Sequence, residues 1–214
     1  MAFSQPAMLP FPIGSTAGFT ATTDGNELEG LEFEIPDLNY SNTPPTVRSY
    51  HATGGNCVPY KRIRVVRNVS GITLLPRYLV QFQTTNYGRR IIGYTNTTAG
   101  EGYPVDEFIS ATLGVPNNDL FYITVEGCAE CLASTLGDDG NVITQGTSIL
   151  VGVTAAASTF STSAGRVAAM ATTGATNVLL VQALNKVGVG LTTKTTGNTN
   201  KATDGIVLCH VKKW

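Results

Sequence analysis

The sequence is short of charged residues and of long apolar runs. Asp, Glu, Lys and Arg make up only 14% of its 214 residues, well below the ~25% usual in soluble domains. The formal net charge of −1 provides no bulk attraction for a polyanion, so we expect no nucleic-acid partner. Because no apolar run reaches the ~18–20 residues of a membrane-spanning helix, we expect no membrane partner either.

Residues that commonly carry catalysis are also scarce. The chain has two histidines, His51 and His210, and it has no GxSxG, Walker A, HExxH or GxGxxG motif. The neighbouring acids Asp106 and Glu107 fit the start of a helix, where carboxylates complement the helix dipole. We therefore expect that the protein is not an enzyme and has neither catalytic residues nor a cofactor.

The cysteines are the remaining candidates for chemistry. Cys128 and Cys131 form a CxxC within a β-like run at 125–134, and Cys57 and Cys209 are isolated in sequence. On a strand, residues three apart point to opposite faces, whereas a redox CxxC normally begins a helix. We expect buried structural cysteines and no metal site. A metal site built from Cys128, Cys131, Cys209 and His210 is the alternative.

Proline and charge divide the chain in two. Seven of the ten prolines lie in the first 59 residues, and residues 1–47 contain six acids and no base. The remainder holds all 14 bases and nine acids. The sequence predicts an extended acidic arm over residues 1–56 and a basic body over residues 57–214. Residues 1–15 lack a positive n-region, so we expect no signal peptide and synthesis in a reducing cytoplasm.

Complementary patterns connect the arm to the body. The arm stretch LEFEIP (31–36) alternates apolar and acidic residues, and the body stretch KRIRVVRNV (61–69) contains alternating arginines. We predict that the arm adds a strand to a basic edge, on its own body or on a neighbouring subunit. Two unrelated solvated strand faces are the alternative. The candidate partner-binding residues are Leu31, Phe33 and Ile35 on the apolar face, Glu32 and Glu34 on the acidic face, and Arg62 and Arg64 on the body.

The body has the pattern of an all-β protein. From Arg62 onward, short β-branched and aromatic runs alternate with turns rich in Gly, Asn and Asp. This pattern predicts an antiparallel β-sandwich or β-barrel. One short helix is predicted at 104–114, where Pro and acids precede apolar residues at helical spacing. The stretch NVLLVQALNKV could be helix or strand, and its β-branched content favours strand.

The order of the body segments resembles the head-decoration, or capsid cement, proteins of tailed bacteriophages. The opening VVRNVSGITLLPRYLVQF is similar to that family, and so is a later series of strand motifs. In order, these are VEG at 125–127, GTSILV at 146–151, GRV at 165–167, VQA at 181–183 and VLC at 207–209. The resemblance covers about two-thirds of the chain, and neither the arm nor CAEC belongs to it.

The resemblance implies a non-enzymatic structural virion protein. Such a subunit, made in the host cytoplasm, would bind the outer capsid surface and cement adjacent copies of the major capsid protein, commonly as a homotrimer. The alternative is a receptor- or carbohydrate-binding β module, such as a head fibre or lectin-like domain. In that case Tyr87, Tyr94 and Tyr103, expected on loops, would stack against sugar rings.

Overall fold

The computed structural model describes residues 29–39, 46–47, 60–86, 88–95, 102–133, 149–152, 165–169, 186–190 and 206–211. Within these ranges the chain is almost wholly β, which confirms the predicted fold class. The strands are β1 (Glu32–Pro36), β2 (Leu38–Asn39), β3 (Thr46–Val47), β4 (Tyr60–Asn68), β5 (Leu79–Phe82), β6 (Arg90–Tyr94), β7 (Tyr103–Pro104), β8 (Leu120–Leu132), β9 (Ile149–Gly152), β10 (Val167–Ala169), β11 (Lys186–Gly190) and β12 (Ile206–Val211).

Ten of these strands form one sheet that nearly closes into a barrel. Its order is β10-β9-β11-β12-β8-β4-β6-β5-β7, and β1 pairs with β4 beside this path. Every described pairing between two strands is antiparallel except the short β4–β6 pairing. An isolated parallel bridge also joins Ala133 to Val167. The two ends of the sheet approach each other at Gly165, which accepts a hydrogen bond from Leu79 N (2.6 Å) and donates one to Thr95 O (3.0 Å). Gly165 has a φ of +75°, and a Cβ there would lie 3.0 Å from Leu79 O, so this approach requires glycine.

Strand β8, with 13 residues, is the longest strand in the described ranges. It pairs with β4 through residues 120–126 and with β12 through residues 127–132. The change of partner occurs at Gly127, whose φ is +101° and whose Cβ position would lie 2.9 Å from Lys61 Cα. Its β-branched and aromatic residues are buried on both faces, as expected for a central strand.

Among the described residues, three apolar clusters form the interior. The largest packs β4, β5, β6 and β8 against the segment 102–115, and consists of Val66, Leu74, Val80, Phe82, Ile91, Tyr103, Val105, Ile109, Val115, Phe121, Ile123 and Val125. A second lies around β8 and β12, and consists of Leu79, Ala129, Cys131, Ala133, Val167, Val207, Cys209 and Val211. The third lies beneath β1, and consists of Ile35, Ile63, Val65, Leu120 and Tyr122, with Phe33 packed on it.

The short helix predicted at 104–114 is wrong. Residues 103–104 are a strand, and the segment after them forms separate turns closed by Ile109 N to Asp106 O (3.3 Å) and Gly114 N to Ser110 O (2.8 Å). The acids expected to begin a helix are instead buried against β4, so tertiary contacts override the local pattern. The one helix among the described residues is a 3-10 turn, Thr84–Asn86.

Some predictions fall outside the described residues. The arm is described only at 29–39 and 46–47, and residues 177–185 of the ambiguous stretch are not described. The arm boundary and the choice of strand over helix at 177–185 therefore stay predictions. In the described part of the chain, no helix has the length and apolar character required to cross a membrane.

Candidate functional site

The arm segment 29–37 lies along β4, and we call this contact the β1–β4 seam. The two strands run antiparallel, with Glu32 opposite Arg64, Phe33 opposite Ile63, and Ile35 opposite Lys61. The ladder continues beyond β1 through bonds from Gly30 N to Val65 O (2.8 Å) and from Val65 N to Leu31 O (2.9 Å). The predicted strand addition is therefore present within one chain. Whether these residues also bind a partner stays a prediction.

The apolar face of the arm strand is only partly covered. Ile35 is buried and Phe33 packs against the same cluster beneath β1, as the alternation predicted. Leu31 is 43% exposed, because it precedes the strand and is not covered by the core. At the other end of the seam Tyr60 is 49% exposed.

The acidic face forms one of the two ion pairs that its register suggests. Arg64 donates through Nε to Glu32 Oε1 at 2.9 Å and through Nη2 to the same oxygen. Glu34 lies opposite Arg62 in the register and is exposed. Arg62 instead forms an ion pair with Glu126 of β8 at 3.1 Å.

A buried carboxylate that sequence reasoning missed anchors the start of the arm segment. Glu29 accepts hydrogen bonds from Arg67 Nε and from Arg90 Nε, the latter at 3.3 Å. Arg67 also donates to Asn118 O at 2.6 Å, and both Glu29 and Arg67 are buried. The excess of acid in the arm pointed to such contacts, but sequence could not show which acid is buried.

A second buried cluster surrounds Lys61. Its Nζ lies 3.1 Å from Asp106 Oδ1 and 3.3 Å from Glu107 Oε1, and the three side chains are 1%, 1% and 2% exposed. The same Nζ lies 4.9 Å from the centroid of the Phe108 ring, within range of a cation–π contact. We call Lys61, Asp106 and Glu107 the Lys61 cluster. In the sequence, the signal for this cluster was a lysine at one of the alternating positions of β4 that are otherwise apolar.

Burial and charge act in opposite directions on this cluster. Burial lowers the pKa of Lys61, but the carboxylates of Asp106, Glu107 and Asp37 outweigh it and hold this pKa above its usual value. Burial raises the pKa of Asp106, although the nearby ammonium opposes the rise. A low-dielectric site thus holds one ammonium among several carboxylates.

The described cysteines of β8 and β12 are in two different states. Cys128 is disulfide-bonded, whereas Cys131 and Cys209 are free and fully buried. A hydrogen bond with Cys209 and burial together raise the pKa of the Cys131 thiol well above its usual value, which disfavours a reactive thiolate. Cys209, isolated in sequence, thus neighbours Cys131 across β8 and β12. In the described part of the chain, no three His, Cys, Asp or Glu side chains gather as metal ligands.

Two of the three tyrosines named for sugar stacking lie in strands. Tyr103 is buried in the core, 5.1 Å from Phe82 between ring centroids. Tyr94 is half-buried, and its hydroxyl accepts a hydrogen bond from Leu75 N at 2.9 Å. Tyr87 lies outside the described residues. A sugar-binding surface would therefore need other aromatic residues than Tyr94 and Tyr103.

The seam and the Lys61 cluster meet along β4, since Lys61 pairs in register with Ile35 of the arm strand. Neither a family model, nor a curated protein, nor a solved structure matches this chain.

Proposed function

We propose that this chain is a structural virion protein that binds the outer surface of a phage capsid and cements adjacent major capsid protein subunits. The observation that carries the proposal is the β1–β4 seam, in which an acidic segment near the N-terminus is added as a strand to a basic strand of an all-β body. Strand addition supplies main-chain hydrogen bonds, and side-chain charge selects the register.

The ends of the seam supply apolar contact points. Leu31 and Tyr60 stand at opposite ends of the paired strands and are 43% and 49% exposed. Large aromatic and aliphatic side chains at an otherwise polar surface are common at subunit contacts. The proposed contact with the major capsid protein includes these two residues.

The repeated lattice of a capsid strengthens binding through such a surface. Each subunit that engages one capsid protein holds its next contact at high effective concentration, so modest individual contacts produce strong overall binding. A homotrimer multiplies these contacts threefold. The low charge content of the chain suits wet, polar contacts of this kind.

Binding to capsids tests the proposal directly. The full chain, incubated with expanded empty heads of tailed phages, is expected to co-sediment with them and to raise their resistance to heat. The double variant Leu31→Asp with Tyr60→Ser should lose most binding, because it removes the apolar contacts while leaving the buried core intact. Leu113→Asp, at a 63% exposed apolar position outside the seam, is the matched control and should bind as the parent does. Absence of co-sedimentation, or equal binding by the double variant, would refute this assignment.

A glycan array examines the carbohydrate-binding alternative. The proposal predicts no glycan signal above background, and selective binding of one glycan class would favour the alternative. Light scattering of the purified chain measures the oligomeric state, for which we expect a trimer.

A further inference from the structure

The Lys61 cluster brings an amine to a carboxyl group in a dry interior. Nζ of Lys61 lies 3.1 Å from Oδ1 of Asp106, so the carboxyl carbon bonded to that oxygen is within reach of the amine. Reactive groups held about 3–3.5 Å apart act at very high effective concentration. Neither side chain exceeds 1% exposure, so bulk water does not compete for either group.

The electrostatics leave the ion pair poorly satisfied. Oδ2 of Asp106 accepts no hydrogen bond from the part of the chain that the structure describes, although the atom is buried. A buried ion pair recovers its desolvation cost only when its remaining lone pairs are also satisfied. Replacing the ammonium and the carboxylate by a neutral amide would remove two buried charges.

Glu107 occupies the place of a proton carrier. Its Oε1 lies 3.3 Å from the same Nζ that contacts Asp106. A carboxylate near hydrogen-bonding distance of a reacting amine can accept a proton from it and return that proton to a leaving group. Lys61 becomes a nucleophile once its ammonium has passed a proton to a neighbouring carboxylate.

We propose that Lys61 and Asp106 form an intramolecular isopeptide bond, with Glu107 carrying the proton. The ammonium first transfers a proton to the Asp106 carboxylate, which leaves a neutral amine and a neutral carboxylic acid. The amine then attacks Cγ of Asp106 and forms the new C–N bond. Glu107 takes a second proton from nitrogen and delivers it to the carboxyl hydroxyl as the C–O bond breaks. One ammonium and one carboxylate become one amide and one water, and Glu107 ends unchanged.

Burial separates this cluster from the partly exposed ion pairs of β4. The Arg62–Glu126 pair has a similar separation, 3.1 Å, but its side chains are 38% and 45% exposed. There water solvates both charges and stabilises them against condensation. An amide formed at Lys61 and Asp106 is sheltered from hydrolysis by the same exclusion of water.

Mass spectrometry of the full chain, reduced and denatured after folding, tests the bond. We expect the chain to be lighter than its sequence mass by one molecule of water. Proteolysis should release a branched peptide that joins Lys61 to Asp106. A folded chain of full sequence mass would overturn the proposal, and a branch at Glu107 would overturn the assignment to Asp106.

Variants separate the chemistry from folding. Asp106→Asn should lose ammonia in place of water, because the amide leaving group differs while the fold-determining shape is kept. Glu107→Gln should slow bond formation severalfold or more in refolding time courses, and Lys61→Arg should abolish the mass loss.

Arg62→Lys is the control, because it places an amine opposite Glu126 at the exposed pair. This variant should lose no additional mass. An unchanged rate in Glu107→Gln would refute the role of Glu107, and mass loss in Lys61→Arg would refute the bond.

Discussion

Strand β4 carries the same kind of charge pair in two environments. Arg62 and Arg64 form partly exposed pairs with Glu126 and Glu32, whereas Lys61 and Arg67 form buried pairs with Asp106 and Glu29. Exposed pairs contribute about 0–1 kcal/mol each. Loss of one partner from a buried pair costs about 3–5 kcal/mol, because the other charge is left without water and without a counter-charge. The position of a charged residue on the strand, more than its type, therefore decides how much its ion pair contributes to the free energy of unfolding.

The largest expected effect comes from removing the amine of Lys61. Lys61→Met should lower the free energy of unfolding by at least about 3–5 kcal/mol, since Asp106 and Glu107 would remain buried without their cation and the proposed amide could not form. Urea titration followed by circular dichroism measures the change. Arg62→Met, one residue further along β4, is the matched control and should cost no more than about 1 kcal/mol. Equal losses from the two variants would erase the contrast between the environments.

Glu29 sharpens the comparison at the other end of the seam. Glu29→Gln keeps the shape of the side chain but removes its charge, leaving buried Arg67 with a weaker acceptor. We expect a loss of about 1.5–3 kcal/mol, the range for hydrogen bonds to charged groups. Glu34→Gln, in the same arm segment but exposed, should change stability by less than about 0.5 kcal/mol. A near-zero effect of Glu29→Gln would show that the arm segment is not held by this contact.

Asp119 provides a pH-dependent test of how burial affects a charged residue. Burial raises the pKa of Asp119, and the opposing charge of Arg67 does not cancel the rise. A raised carboxyl pKa contributes stability below the unfolded pKa of about 3.9, and this contribution is lost as pH rises through the folded pKa. The stability of Asp119→Asn relative to the parent should therefore increase from pH 3 to pH 7. Unfolding curves across this range measure it, and a constant difference would contradict the cause given.

The smallest effect is expected for the partly exposed Glu32–Arg64 pair of the seam. A double-mutant cycle of Glu32→Ala and Arg64→Ala should give a coupling energy of about 0.2–1 kcal/mol. Salt should reduce this coupling, because dissolved ions screen charges that are in contact with water. The screening length is about 10 Å at 0.1 M ionic strength and shortens as salt is added. A coupling above about 2 kcal/mol that is insensitive to salt would place this pair with the buried ones.

Much of the fold follows from local pattern. The β-branched runs separated by Gly, Asn and Asp turns predicted the strands of the body, and alternation in 31–36 and 61–69 predicted the pairing of β1 with β4. Both predictions rest on alternation with a period of two residues, because successive side chains of a strand point to opposite faces of the sheet. The helix predicted at 104–114 failed because its acids fitted two roles, at a helix start and beside a buried lysine.

The sequence by itself determined an all-β chain and an acidic segment matched to a basic strand, because alternation and charge sign are local properties. Only the tertiary structure decided which charges are buried. Asp106 reaches Lys61 across 45 residues of chain, and Cys209 reaches Cys131 through the pairing of β12 with β8. Such contacts depend on the order of strands in the sheet and on the point where β8 changes partners. Neither feature produces a periodic pattern in the sequence.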